Sequence, residues 1–313
     1  MTHASSHAAH DVHLVPQHTP GADDLTETEQ SEIDQAKIKQ AEIEQAETDQ
    51  AEILDLDAEV LAEHIASITA WLPVEKGPRH IVDLGCGTGT GTFALLARFP
   101  EAEVTAVDAS AGHLRRLRER AEALGLADRV RTVSADLDAD WPELGRPELV
   151  WASASMHHMA DPDRALRAVH GLLAPGGLFA VVELADFPRF LPEDAPRERP
   201  GVEERCHAAL AHLHAEHVPH RGADWGPKLT AAGFTVEGER TITVNIDGSR
   251  NDRVGPYALS SLKRLRGAAA DTLAAEDLTV LDHLLDTGSP LSILRRGDLM
   301  VRTERTVWAA RRA

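Results

Sequence analysis

The feature that most limits what this chain can fold into is an alternation between His80 and Leu184. Short apolar runs ("HIVDL", "AEVTAVDA", "RVRTVSAD", "ELVWASAS" and "LFAVVEL") are separated by helix-patterned stretches such as "GTFALLARF", "HLRRLRERAEAL" and "PDRALRAVHGLL". Strands that are apolar at successive positions need cover on both faces, and helices lying between consecutive strands supply it for a parallel sheet. The expectation is an α/β fold with a mostly parallel sheet and helices on both faces. After Ala185 the rhythm breaks. A proline-rich loop, "DFPRFLPEDAPRERPG", precedes a helix from Val202 to about His217 and a short helix in "DWGPKLTAAGF". Then come a strand, "FTVEGERTITVNI", helical material from Gly255 to Leu285, and a final strand, "LMVRTERTVWAARR". Strands six and seven are expected side by side and antiparallel, making seven in all. Helical lid or substrate-facing insertions are expected at about 186–220 and 251–296.

The N-terminal part has a different character. Residues 1–24 are rich in His, Ala, Ser and Pro without a hydrophobic period, and are expected to be disordered. From Glu32 to Ile53 runs a five-residue repeat, "EIDQA KIKQA EIEQA ETDQA EI", placing Ile33, Ile38, Ile43 and Ile53 in one phase and Thr48 in the remaining position. Five helical residues advance by about 140° net, so the isoleucines spiral around the cylinder and form no continuous seam. The reading is an acidic, partly helical, solvated extension over 1–53; an oligomerising coiled coil is the alternative. From Leu54 the spacing of Val60, Leu61, Ile65, Ile68 and Leu72 marks a helix closed by Pro73, and a domain over 54–313.

Composition excludes several functions. Over 313 residues the formal net charge is −19, about half of it in the extension, which disfavours nucleic-acid phosphates or an anionic membrane surface as partners. The two cysteines, Cys86 and Cys206, are too few for a disulfide or zinc framework. There is no apolar run long enough to insert in a membrane and no signal-peptide core at the N-terminus, so a cytoplasmic protein is expected.

The stretch "VDLGCGTGTG" joins the first strand to the first helix. A dinucleotide fingerprint needs glycines at positions one, three and six. Counting from Gly85, Gly87 or Gly89, the sixth position is Thr90, Thr92 or Ala94, so every register fails. No Gly-Lys-Ser/Thr follows, which rules out a Walker A loop. What is present is Asp83 two residues before the alternating Gly85, Gly87 and Gly89, then Asp108 closing the second strand and Asp136 closing the third.

These residues, with "ELVWASASMHHMADPDRALRAVHGLLAPGGLFAVVEL", resemble the class I S-adenosylmethionine-dependent methyltransferases, in particular small-molecule enzymes of the ubiquinone/menaquinone type, over about Ile81 to Leu184. The resemblance implies a Rossmann-like fold, S-adenosylmethionine as cofactor and a small-molecule methyl acceptor. It places Gly85, Cys86, Gly87 and Gly89 against the cofactor, with Cys86 a small packing residue. It places Asp83 near the cofactor's amino-acid end, Asp108 on the ribose hydroxyls, Asp136 and the Leu137 amide on the adenine edge, Ala109 and His113 beside the adenine plane, and the Ala152 carbonyl on the ammonium group. His113 stands where the family often has Met.

Methyl transfer from a sulfonium is an in-line displacement driven largely by placement, and a base is needed only when the acceptor must lose a proton. Candidate bases are His158, then His157, both just beyond the fourth strand, and Glu183 at the end of the fifth; imidazole titrates near neutrality. The alternative for the histidine pair is loop packing before Asp161. His207, His214 and His217 share a helix face and are read as packing or solvated residues, not as a metal site. Tyr257 is a pocket-lining or packing residue. Competing readings are an NAD(P)-dependent Rossmann oxidoreductase and a non-catalytic cofactor-binding regulatory protein. The oligomeric state is left open by the sequence.

Overall fold

The computed structural model describes residues 27–313, without the side chains of residues 27–30, 32, 42, 213 and 214. The expectation for residues 1–24 lies outside the described residues. Two compact units divide at Gln45/Ala46. In the first, the described residues are helical: α1 (Glu27–Val60) begins here and carries the five-residue repeat without a break. Its isoleucines Ile33, Ile38 and Ile43 are all exposed, as the 140° drift requires.

The second unit begins within α1 and contains the sheet. Its chain order is α2 (Ala62–Trp71), β1 (His80–Leu84), α3 (Thr90–Arg98), β2 (Glu103–Asp108), α4 (Ala111–Ala123), β3 (Val130–Ser134), β4 (Leu149–Ser153), α5 (Pro162–Leu172) and β5 (Leu178–Leu184). It continues with α6 (Val202–His217), α7 (Trp225–Ala231), β6 (Phe234–Asp247), α8 (Val254–Ala268), α9 (Ala275–Leu285) and β7 (Met300–Arg312). The sheet order is β3-β2-β1-β4-β5-β7-β6. The first five strands are parallel, and β7 runs antiparallel to both β5 and β6. Strand order reverses between β1 and β4, where an open α/β sheet leaves a crevice beyond its carboxyl ends.

Alternate residues of the central strands feed two cores. Ile81, Leu149, Trp151, Leu178 and Ala180 face the layer built by the end of α1 with α2, α3, α6, α8 and α9. Val82, Leu84, Val150, Phe179 and Val181 face α5 and α7. Both insertions foreseen after β5 are helical. The first contains α6, and the second, between β6 and β7, contains α8 and α9. They are joined by Asp277 of α9, buried, whose carboxylate accepts from Arg199 Nε and Arg205 Nη2 at 2.7 Å each. The two guanidinium groups hold this carboxyl down at about 2.

Two segments differ from the sequence expectation. The helix read over 54–72 is two helices separated at Leu61, which is fully buried. The helical material of 255–285 is likewise interrupted between Ala268 and Ala275, where buried Ala269 turns the chain.

Candidate active site

The site forms where β1 and β4 end side by side. Gly85 continues β1 with φ +64°, and a Cβ there would lie 2.4 Å from Ser155 Cβ. Only glycine permits both the backbone and this approach. Ser155 Oγ donates to Leu84 O at 2.9 Å, fastening the tip of β4 to that of β1. The turn is reached through Ala154, which has φ +51°, the single positive-φ residue other than glycine among the described residues. Such strain persists where surrounding contacts enforce it, and it gathers at functional sites.

Asp83 lies beneath the glycine turn, 2% exposed. Its Oδ2 accepts from Thr92 Oγ1 at 2.7 Å. Burial pushes the carboxyl up to about 7 against the opposing pull of the Thr92 hydrogen bonds. Gly91 is obligatory beside it: a Cβ would stand 2.4 Å from Trp151 Nε1 and 3.1 Å from Asp83 Oδ2. Cys86 is buried and its thiol is pushed well up by desolvation, as a packing residue should be.

Asp108 closes β2 at the crevice. Its Oδ2 accepts from the Gly87 amide and its Oδ1 from the Ser110 amide, both at 2.8 Å. The hydrogen bonds and the neighbouring His113 keep this carboxyl low although burial opposes them. Ser110, not Asp108, caps α4, its hydroxyl accepting from the His113 amide at 3.2 Å. Asp108 also has His113 Nδ1 at 3.4 Å, and both His113 ring nitrogens are buried without a hydrogen bond. Ala109 beside them is exposed. Asp136 Oδ1 accepts from the Asp138 amide at 2.9 Å, an Asx turn. Leu137 is buried, its carbonyl accepting from Trp141 Nε1, and Ala152 is fully buried at the end of β4.

Across the crevice, Glu183 and His157 form a buried pair. Glu183 Oε1 accepts from the Met156 amide at 2.8 Å, and Oε2 meets His157 Nδ1 in a short contact. Glu183 thereby orders the turn after β4 and orients His157; both groups are nearly solvent-free. His158 lies against His157, ring centroids 4.2 Å apart and planes tilted by 42°, and is exposed. Desolvation, then the charges of His157, Arg221 and Arg264, push His158 down to about 4.

Other candidates lie elsewhere. Tyr257 is buried against Phe190 and donates to Asp57 Oδ1 at 2.7 Å, a packing role. His207 is buried beside Phe187, while His217 is exposed and the His214 side chain lies outside the described residues. Among the described residues, no group of three His, Cys, Asp or Glu stands placed to hold a metal ion. No described helix is long and apolar enough to cross a membrane. The sequence reading missed Ser155, whose role depends on two strand tips meeting.

The parallel sheet with its β1/β4 crevice, the glycine turn and the acids closing β2 and β3 together define a class. Residues 82–179 match the family model described as a methyltransferase domain, and this part of the chain is similar to class I S-adenosylmethionine-dependent methyltransferases. Trans-aconitate 2-methyltransferase of Methylobacterium radiotolerans is 40% identical over 116 residues, which are 37% of this chain and 42% of that one. A second enzyme of that name, from Methylobacterium nodulans, is 33% identical over 183 residues, 58% of this chain and 66% of the relative. Malonyl-[acyl-carrier protein] O-methyltransferase of Halorhodospira halophila is 37% identical, covering 52% and 50%. The chain thus spans less than two thirds of the length of the curated relatives it matches. A solved Bacillus halodurans structure described as a methyltransferase shares the fold, with a TM-score of 0.51, 18% identity, and coverage of 79% of this chain and 98% of that one.

The donors present fit the family's cofactor. An ionised carboxylate has about four acceptor positions; Asp108 uses two on backbone amides and turns a third toward His113 Nδ1 at 3.4 Å, leaving acceptor room on Oδ2 for a hydroxyl. Nε2 of His113, a buried polar atom without a hydrogen bond, lies on the ring beside it.

Proposed function

We propose that this protein transfers a methyl group from S-adenosylmethionine to a small-molecule acceptor. The observation that carries the proposal is Asp108, an ionised carboxylate with spare acceptor capacity at the crevice beside a glycine turn that fits no pyrophosphate cradle. Bound there, S-adenosylmethionine supplies an electrophilic methyl group on a positively charged sulfur. Asp108 holds the ribose hydroxyls, the turn from Gly85 to Gly89 admits the backbone of the cofactor's amino-acid end, and Asp83 supports the turn from below through Thr92. Asp136 and Leu137 face the adenine edge, with Ala109 and His113 beside its plane. Ala152 presents its carbonyl to the ammonium group.

On the acceptor side, Glu183 positions His157, and His158 lies against it. With a pKa of about 4, His158 is unprotonated at neutral pH and able to accept a proton, yet it is a weak base. Placement of the acceptor in line with the C–S bond therefore supplies most of the catalysis. The names of the trans-aconitate and malonyl relatives support a metabolite-sized acceptor or an acyl group. The test is incubation with methyl-labelled S-adenosylmethionine and fractionated small-metabolite extracts. Label is expected in the small-molecule fraction, together with release of S-adenosylhomocysteine. Label found only in nucleic acid would contradict the proposal.

A further inference from the structure

The last residues of the five-residue repeat belong to the sheet-bearing unit, and they are not free in solvent there. Ala51, the final alanine of the repeat, is 4% exposed. Two contacts fix where this stretch of α1 lies. Leu54 Cδ1 stands 3.2 Å from the point that a Cβ on Gly87 would occupy, so Leu54 packs directly on the glycine turn. Glu47 Oε2 stands 3.4 Å from the corresponding point of Gly112, in the first turn of α4. Glu47, Ala51 and Leu54 recur at i, i+4 and i+7, which is one face of a helix. Seven helical residues span about 10 Å, so the two contacts are two separate footholds.

Asp108 lies between those footholds. The Gly87 amide donates to its Oδ2, and the amide of Ser110, two residues before Gly112, donates to its Oδ1. A helix face resting on both Gly87 and Gly112 therefore passes over the carboxylate that closes β2. It roofs that carboxylate without plugging it, because the Asp108 side chain keeps 14% of its surface open. The helix is also fastened on both sides. Asp55 Oδ2 pairs with Arg116 Nε of α4 at 3.0 Å. Asp57 accepts from Tyr257 of α8 and Arg305 of β7, and Glu59 pairs with Arg253 at 2.7 Å.

Resting on the methyltransferase reading above, we propose that residues 47–55 of α1 form the outer wall of the cofactor site, with Leu54 a binding residue against the ligand beside Gly87 and Asp108. An apolar wall over an ionised carboxylate excludes water and strengthens the hydrogen bonds made beneath it. Gly87 then has a second reason to be glycine: a side chain there would strike Leu54 and lift the helix. The end of the repeat is part of the site, and the cofactor's half of the crevice is completed from outside the alternating strands and helices.

The test uses the full-length protein, titrated calorimetrically with S-adenosylhomocysteine and followed by backbone amide exchange with and without that ligand. In the wild type the ligand is expected to slow exchange at residues 48–55. Leu54→Ala, which removes the apolar contact, is expected to weaken S-adenosylhomocysteine binding about fivefold or more. Asp55→Arg and Arg116→Asp are each expected to weaken it about threefold or more, and the double variant, which restores the pair in reverse, to recover it. Both residues of the pair are partly exposed, so these variants serve even where Leu54→Ala fails to fold. A helix with a structural role alone would shift urea unfolding and leave ligand affinity and ligand-dependent exchange unchanged. Equal affinity in the wild type and the Asp55→Arg variant would overturn the wall. So would tighter binding in Leu54→Ala, which would mean that the helix excludes the ligand, or unaltered exchange at residues 48–55 in protein that has bound it. Failure of the wild type to bind S-adenosylhomocysteine at all is a separate result: it removes the methyltransferase reading itself, and the wall with it.

Discussion

Asp83 is the residue where burial and function pull hardest against each other. Its carboxyl is raised to about 7 by desolvation, whereas an unfolded chain ionises it near the ordinary carboxylate value of 3.8. The folded state therefore holds a proton that the unfolded state has released. The stabilisation is complete below the unfolded value and is lost as pH rises through about 7. Asp83→Asn keeps the shape and an acceptor for Thr92 and has no such dependence. In urea unfolding at pH 5 and pH 7.5, the wild type is expected to lose stability relative to the variant as pH rises, by up to about 1.4 kcal/mol per pH unit. Parallel behaviour of the two proteins would show that Asp83 is not held protonated. The acids of the site were legible in the sequence because each stands at a fixed offset from a strand end. Ser155 was not, because its meaning arises only when β1 meets β4.

At the scale of elements, the last turns of α1 are tied to three others. Asp57 accepts from Tyr257 of α8 at 2.7 Å and from Arg305 of β7 at 2.8 Å, Asp55 pairs with Arg116 of α4, and Glu59 pairs with Arg253. Tyr257→Phe removes one donor from a carboxylate that keeps Arg305. It is expected to cost about 1 kcal/mol in urea unfolding. A cost near zero would mean that the phenol finds water as readily in the unfolded chain and that the helix is held by Arg305 alone. Helices and strands were legible where period and flanks agree: β5 and α6 begin and end as the sequence reading placed them. The breaks at Leu61 and after Ala268 were not, because good helix formers flank both. There the packing of two helices into one core decides, and local preference does not.

The second unit is built on one sheet whose carboxyl ends gather the groups assigned to the cofactor. The fold class was legible because alternation, glycine spacing and acid spacing all point to one topology. The acceptor was not legible, since the chain's periodic part describes the cofactor's half of the crevice. The central claim is that Asp108 and the glycine turn hold S-adenosylmethionine. Isothermal titration of S-adenosylmethionine into the wild type and Asp108→Ala tests it most directly. Saturable binding by the wild type is expected, weakened at least tenfold in the variant by the loss of charged hydrogen bonds to the ribose. No binding to the wild type at millimolar cofactor, or equal affinity in the two proteins, would contradict the claim.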